Sequence, residues 1–151
     1  MFGGFNKIAP RLYIGAAPPA GRRLADLGFT MVVLCAREYQ WPACHFPGLR
    51  VVRAAMDDAV PTAPEVELAR SAAMLAAQEV RRGGRVLITC AQGRNRSGLV
   101  SALVLRRLYG LTGDQAVHHI RGCRLGALTN SAFVHFLGCL RAPGDSALEA
   151  A

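Results

Sequence analysis

Two uninterrupted apolar segments constrain the fold of this chain more than any other feature of its sequence. They are Met31–Cys35 and the middle of Arg85–Thr89. A strand-length segment without a polar face predicts a strand that is covered on both sides, which is typical of a parallel sheet. Two further segments, Leu12–Ile14 closed by Gly15 and Arg50–Ala55, predict additional strands.

Segments with helical spacing separate these strands. The segment Thr62–Glu65 combines a capping residue, a proline and an acid, which marks a helix start, and Gly83-Gly84 marks the end of that helix. Alternating strands and helices predict one α/β layered domain, with a central, mostly parallel sheet flanked by helices. Such sheets bind their ligands at the carboxyl ends of the strands. The other predicted helices are Ala20–Leu27, Ser97–Tyr109, Gly113–Gly122 and Asn130–Leu140.

Length and composition restrict the classes of protein to which the chain can belong. It has 151 residues, of which 52% are hydrophobic and 19% are charged, so it suits one domain with a sizeable core and not a disordered chain. The net charge is +8, and of the 18 basic residues all but Lys7 are arginine. Arginine binds phosphate through a planar pair of donors, so the surface favours anionic substrates. We assign residues 1–142 to the domain and 143–151 to a frayed tail.

The cysteine pattern and the chain's N-terminus indicate the compartment. The five cysteines are odd in number and contain no Cys-x-x-Cys pair, which favours neither a disulfide framework nor a zinc ribbon. No basic segment followed by a long apolar run opens the sequence, and no window approaches about 18 consecutive apolar residues. We therefore expect no membrane span and a location in the reducing cytoplasm.

The segment with the clearest chemistry runs from Cys90 to Ser97, between a predicted strand and a predicted helix. A cysteine acts as a nucleophile in its thiolate form, and the N–H groups of a tight loop and of a helix N-terminus favour an anion. Gly93 permits a tight turn, Arg96 can bind two phosphate oxygens, and Ser97 can donate a hydrogen bond to the thiolate. The alternative is a buried cysteine with an unrelated arginine, and the flanking strand, glycine and helix favour the catalytic interpretation.

This loop resembles the His-Cys-x5-Arg-Ser/Thr signature of the dual-specificity type of cysteine-dependent phosphatase. Other segments resemble the same family in the same order, from about Ile8 to Leu140. The resemblance implies an α/β fold and hydrolysis of phosphate monoesters through a cysteinyl-phosphate. It also implies a monomer with no cofactor or metal, no stable complex with nucleic acid, and a phosphorylated protein or other phosphate ester as substrate. The similar segments are Ile8–Gly15, Leu27–Leu34, Gly84–Ile88, and Arg124 with Leu128–Phe133.

The resemblance also implies roles for particular residues. Cys90 is the nucleophile, Arg96 binds the phosphate, and Ser97 is the partner of the thiolate. The family's general acid is an aspartate on a separate loop, and Asp57 and Asp58 lie 33 and 32 residues before Cys90. The family's common spacing favours Asp58, and the alternative is a pair of solvated acids or a helix cap. The loop residues implied to bind the substrate phosphate are Ala91, Gln92, Gly93, Arg94, Asn95 and Arg96.

Two positions leave alternatives open. Thr89 stands where the family has a histidine that helps to keep the cysteine ionised, so a phosphate-binding module without turnover is the alternative to an enzyme. Cys35 corresponds to a cysteine that forms a disulfide with the nucleophile in a similar phosphoinositide phosphatase. Its alternative role is that of a small buried apolar residue.

The loop sequence bears on the substrate without deciding it. Arg94 resembles a basic residue of phosphoinositide phosphatases, and Asn95-Arg96 resembles a pair in RNA 5′-triphosphatases. A phosphoinositide or an RNA 5′-phosphate is therefore the alternative to a phosphorylated protein. A persulfide-carrying rhodanese domain fits less well, because it explains neither Ser97 nor the placed aspartate.

Overall fold

The two apolar segments form neighbouring strands in the centre of a five-stranded sheet. A computed structural model describes residues 4–141, and the strand order is β1-β2-β5-β3-β4. β1 and β2 are antiparallel, whereas β2, β5, β3 and β4 are parallel to one another. The prediction of a mostly parallel sheet in one α/β domain is confirmed. The strands are β1 (Phe5–Ala9), β2 (Leu12–Ala16), β3 (Met31–Ala36), β4 (Arg50–Met56) and β5 (Val86–Cys90).

Within residues 4–141, five α-helices connect or follow the strands, and their starts agree with the local sequence. The Thr62 side chain accepts a hydrogen bond from the Glu65 backbone N–H while the Glu65 carboxylate accepts one from the Thr62 backbone N–H, which closes a capping box. No helix within residues 4–141 is both long and apolar enough to cross a membrane. The helices are α1 (Arg23–Asp26), α2 (Ala63–Arg81), α3 (Arg96–Tyr109), α4 (Gly113–Cys123) and α5 (Ser131–Gly138).

The alternation of side chains along β3 and β5 divides the core into two layers. Val33, Cys35, Ile88 and Cys90 point to the layer that contains α2, α3, α4 and α5. On the opposite face, Leu87 packs in the smaller layer, which α1 and the segment after β3 cover. Because both faces are covered, β3 and β5 need no polar alternation, which explains their continuous apolar sequences.

Three local predictions differ from the structure. Residues 5–16 form a hairpin of two strands, with Arg11 at φ 66° in its turn, where the sequence suggested one opening strand. β1 was not predicted because Asn6 and Lys7 interrupt its apolar pattern. These polar residues fit there because β1 is an edge strand and part of it is exposed. α1 is confined to Arg23–Asp26, shorter than predicted, and a 3-10 turn at Ala43–His45 was not predicted. The predicted tail, 143–151, lies outside the described residues.

The parallel strands bring sequence-distant residues to one edge of the sheet. The carboxyl ends of β3, β4 and β5 carry Glu38, Asp57 and Cys90 within two residues of the strand ends. The start of α3 faces the same edge, since the short loop 91–95 joins β5 to α3. This edge is therefore the place to look for a site.

Candidate active site

Cys90 ends β5 beneath the loop 91–95. Its side chain is buried, and its Sγ lies 3.2 Å from the Oγ of Ser97, the second residue of α3. α3 begins one residue before Ser97, so the positive end of its helix dipole lies next to this position. This arrangement places a hydroxyl beside the sulfur, next to the N-terminal end of α3.

Gly93 allows the loop to fold tightly against β2. Its φ is +69°, and a Cβ at this position would lie 2.3 Å from the carbonyl carbon of Gly15. That contact is with backbone and cannot be relieved by rotating a side chain. The loop therefore requires glycine here for both its dihedral angle and its close approach.

Arg124, which follows α4, supports the loop from outside. Its Nε donates to the Gly93 carbonyl at 2.7 Å and its Nη2 to the Gln92 carbonyl at 2.9 Å. Its Nη1 donates to the side-chain oxygen of Asn6 on β1 at 2.8 Å. Burial lowers the pKa of Arg124, opposed by Cys90 and reinforced by the nearby positive charge of Arg94. Arg124 thus ties two loop carbonyls to the edge of the sheet.

Arg96 is the first residue of α3 and is almost fully buried, at 7% exposure. Its guanidinium binds both carboxylate oxygens of Glu38, with Nη1–Oε1 and Nη2–Oε2 distances of 2.5 and 3.0 Å. Its Nη1 also donates to the Met56 carbonyl at 3.2 Å. These bonds leave the Nε–H and one Nη2–H, which point the same way and form the second pair of donors of a guanidinium.

The Arg96–Glu38 pair fixes both charges. Hydrogen bonds from Arg96 lower the pKa of Glu38, although burial opposes them. Burial lowers the pKa of Arg96, but the Glu38 hydrogen bonds and the charges of Cys90, Glu38 and Asp58 together raise it. Arg96 is therefore a permanent cation in a fixed orientation.

The two aspartates after β4 have different surroundings. Asp57 accepts a hydrogen bond from Arg37 Nε at 3.1 Å and forms an ion pair with it. Asp58 accepts from the side-chain amides of Asn95 at 3.0 Å and Asn130 at 2.7 Å. Because Asn95 belongs to the loop 91–95, the structure brings Asp58 and not Asp57 against that loop.

Glu65, in the first turn of α2, holds the start of the segment that carries these aspartates. Its Oε2 accepts from the Asp57 backbone N–H at 2.9 Å and from Arg37 Nη2 at 3.0 Å, while its Oε1 accepts from the Thr62 backbone N–H at 3.0 Å. The Thr62 bond, the Asp57 bond and the Arg37 pair lower the pKa of Glu65 to about 2 against the opposing effect of burial. We call residues 57–62 the acid loop.

Thr89 faces away from Cys90. Consecutive strand residues point to opposite faces, and the Thr89 hydroxyl donates to the Val33 carbonyl of β3 at 2.8 Å. The side chain is 1% exposed. Thr89 therefore joins β5 to β3 on the face of the sheet opposite Cys90.

Cys35 lies beside Cys90. Leu34 of β3 is in register with Thr89 of β5, so the next residues along the two parallel strands are Cys35 and Cys90. Burial raises the pKa of the Cys35 thiol well above its usual range, reinforced by Cys90 and opposed by Arg96. Cys35 is thus a buried thiol next to the candidate nucleophile.

A pocket of about 590 Å³ opens beside the loop 91–95. Arg94 and Arg124 give it positive charge, while Tyr39 and the 94%-exposed Leu125 give it an apolar rim. Among the described residues, no carboxylate forms an ion pair with Arg94, and no group of three or more His, Cys, Asp or Glu residues could hold a metal ion. The pocket suits an anionic ligand.

Comparison with known proteins identifies the family. The sequence model of the dual specificity phosphatase catalytic domain matches residues 12–140. The chain belongs to this family. Human dual specificity phosphatase 28 is 34% identical over 131 residues, covering 84% of this chain and 72% of that protein.

Solved structures agree with the assignment. The human dual specificity phosphatase 28 crystal structure superimposes with a TM-score of 0.73 at 31% identity, covering 88% of this chain and 89% of that one. The active form of Tk-PTP gives 0.76 at 26% identity, covering 91% and 95%. This dual specificity phosphatase is therefore an enzyme of the cysteine-dependent class that acts on phosphate esters, as its sequence predicted.

Several residues of this dual specificity phosphatase site were not recognised in the sequence. Glu38 and Asn130 contact Arg96 and Asp58 from other elements, and Glu65 and Arg37 hold the acid loop. Charged residues directly after a buried strand, as in Arg37-Glu38, were the sequence signal that could have indicated Glu38 and Arg37 as site residues. Asn130 lies in the segment Leu128–Phe133 that resembles the family, but that resemblance did not assign it a contact with Asp58.

We predict that Glu65→Gln destabilises the phosphatase by about 3 kcal/mol at pH 7, since a shift of roughly two pKa units corresponds to that free energy. The lowered pKa of Glu65 stabilises the fold above about pH 4.5, and this contribution is lost as the pH falls towards 2. Urea unfolding of both proteins between pH 7 and pH 3 should show the difference narrowing on acidification.

Glu67→Gln is the matched control, because Glu67 is exposed in the same turn of α2. It should unfold like the wild type at every pH. A Glu65→Gln protein as stable as this control at pH 7 would contradict the assigned network.

Proposed function

We propose that Cys90, Arg96, Ser97 and Asp58 hydrolyse phosphate monoesters of phosphorylated proteins through a cysteinyl-phosphate. The observation that carries the proposal is that a sulfur, a guanidinium held in a fixed orientation and a carboxyl group meet at one edge of the sheet. Cys90 Sγ lies 3.2 Å from Ser97, Arg96 is held by Glu38, and Asp58 contacts the same loop.

In the first step, the Cys90 thiolate attacks phosphorus and forms the S–P bond. The ester P–O bond breaks, and the leaving oxygen takes a proton from the carboxyl group of Asp58. The unoccupied Nε–H and Nη2–H of Arg96 bind two of the phosphoryl oxygens, and backbone N–H groups of Ala91–Asn95 bind the remaining charge.

In the second step, water attacks the phosphorus of the cysteinyl-phosphate. The Asp58 carboxylate takes a proton from that water, inorganic phosphate forms, and the S–P bond breaks. Cys90 leaves as a thiolate, to which the Ser97 hydroxyl donates. The carboxyl and the sulfur thereby return to their starting states.

We predict that the protein hydrolyses an aryl phosphate in EDTA and that Cys90→Ser lowers this rate at least about 1,000-fold, because a serine hydroxyl remains protonated in the same field. Continuous absorbance assays would measure it. Cys44→Ser is the control, since Cys44 is an exposed thiol on the 3-10 turn, and it should leave the rate within twofold. Activity retained in Cys90→Ser, or dependent on added divalent metal, would contradict the mechanism.

We predict that Asp58→Asn lowers kcat/KM for alkyl phosphates about 100-fold or more, and affects aryl phosphates with acidic leaving groups far less. A poor leaving group needs the proton, whereas a good one does not. Asp57→Asn is the neighbouring control and should show no such dependence, because Asp57 is paired with Arg37. The reverse pattern would move the general acid to Asp57.

A second candidate substrate is a phosphoinositide or another ester with a second anionic group near the first. The observation that favours it is the positive pocket beside the loop, to which Arg94 contributes an exposed guanidinium and Arg124 a second cation. The pocket lies next to Ala91 and Gln92, within reach of a substituent on the bound ester.

For this second candidate, we expect Arg94→Ala to raise KM for a soluble bisphosphorylated phosphoinositide about tenfold, equivalent to about 1.4 kcal/mol, and to leave a phosphotyrosine peptide within twofold. Arg23→Ala removes the same charge from exposed α1 and serves as the control. If Arg94→Ala raises KM equally for both substrates, Arg94 does not bind a second anionic group. The observation that favours a phosphoinositide would then be lost, and only the phosphoprotein proposal would remain.

We also propose that Cys35 protects the nucleophile. Peroxide would oxidise Cys90 to a sulfenic acid, releasing water, and the Cys35 thiol would then condense with it to a disulfide and a second water. The side-by-side strand positions of the two cysteines support this role. We further propose that the protein works as a monomer in the reducing cytoplasm, where free thiols such as its five cysteines persist.

A further inference from the structure

A pair of side-chain amides connects the phosphate-binding loop to the acid loop. Asn95 Nδ2 donates to Asp58 Oδ2 at 3.0 Å, and Asn130 Nδ2 donates to Asp58 Oδ1 at 2.7 Å. Each oxygen of the Asp58 carboxyl therefore has its own amide donor. We call Asn95 and Asn130 the amide pair.

Neighbouring backbone groups fix the orientation of each amide. Asn95 Oδ1 accepts from the Asn130 backbone N–H at 2.9 Å, and a backbone N–H can only donate. Asn130 Oδ1 caps α5 by accepting from the N–H groups of Ala132 and Phe133, at 2.9 and 3.2 Å. Both NH₂ groups must consequently point towards Asp58, and neither amide can rotate without losing these bonds.

The rest of the acid loop does not determine the direction of the Asp58 side chain. Glu65 and Arg37 bind Asp57, and the Val60 side chain is 75% exposed. Between them, the Ala59 carbonyl accepts a hydrogen bond at 3.1 Å from the same Asn130 amide that donates to Asp58. The orientation of the carboxyl relative to the loop 91–95 thus depends on the amide pair.

We propose that Asn95, assisted by Asn130, is a positioning residue that aims the Asp58 carboxyl at the leaving group. This inference rests on the proposed role of Asp58 as general acid. Asn95 directly precedes Arg96, so one loop fixes both the phosphate and the carboxyl that must reach its ester oxygen. Both oxygens of Asp58 keep a lone pair that can accept from an amide, whether the carboxyl is protonated or ionised. The amide pair can therefore hold Asp58 both when it acts as an acid and when it acts as a base.

The test is a double-mutant cycle with Asn95→Ala and Asp58→Asn, measured as kcat/KM on alkyl phosphates and on aryl phosphates with acidic leaving groups. We expect Asn95→Ala to lower kcat/KM about tenfold for alkyl phosphates and less than about twofold for the aryl esters. In the Asp58→Asn background, Asn95→Ala should lower kcat/KM less than about twofold on either substrate, because the carboxyl group that Asn95 positions is absent.

Two variants separate positioning from loop support. Thr129→Val removes a hydroxyl that contacts Asn95 at 3.2 Å and has no hydrogen bond to Asp58, and it should stay within twofold of wild type. Asn130→Ser keeps an oxygen that caps α5 but loses the amide donor, so it should reproduce the leaving-group-selective loss even if Asn95→Ala fails to fold.

Two patterns would overturn the inference, and they differ. In the first pattern, Asn95→Ala lowers kcat/KM equally for alkyl and aryl phosphates, or lowers it equally in the wild-type and Asp58→Asn backgrounds. Asn95 would then support the loop and would not position the acid. If Asp58→Asn itself shows no leaving-group dependence, the general-acid assignment fails, and the positioning role fails with it.

Discussion

The salt bridge between Arg96 and Glu38 is the constraint on which the site depends. A guanidinium that is almost fully buried is costly unless a carboxylate and other acceptors surround it. Glu38 follows β3, the Met56 carbonyl ends β4, and Arg96 begins α3 after β5. One buried cation therefore requires three parallel strands to end together, and that meeting point is also where Cys90 and Asp58 lie.

The same requirement explains which parts of the site were predictable. Cys90, Arg96 and Ser97 are close in sequence, and a buried strand before them and a helix after them leave few ways to arrange the loop. Glu38 lies 58 residues before Arg96, and its contact exists only because β3 and β5 are neighbours in the sheet. The family's spacing favoured Asp58, whereas its amide partner Asn130 is 72 residues away and was matched only as part of a segment that resembles the family.

The fold was predictable where burial is complete and less so at its margins. β3 and β5 are covered on both faces, so their sequences are continuously apolar and identify them directly. β1 and α1 lie at the periphery, where short amphipathic or polar segments are compatible with several structures. Thr89 shows the limit of reasoning from a family pattern, since its position next to Cys90 in sequence places it on the other face of the sheet.

The hydrogen bonds of Arg124 connect the edge of the sheet to the loop 91–95. β1 is an edge strand and pairs with β2, yet its Asn6 shares one guanidinium with the carbonyls of Gln92 and Gly93. Arg124 therefore connects the loop 91–95 to a strand more than 80 positions earlier in the chain. A substitution at Asn6 would therefore change how Arg124 is held against the loop 91–95, so an edge strand that supplies none of the predicted site residues is still coupled to the candidate active site.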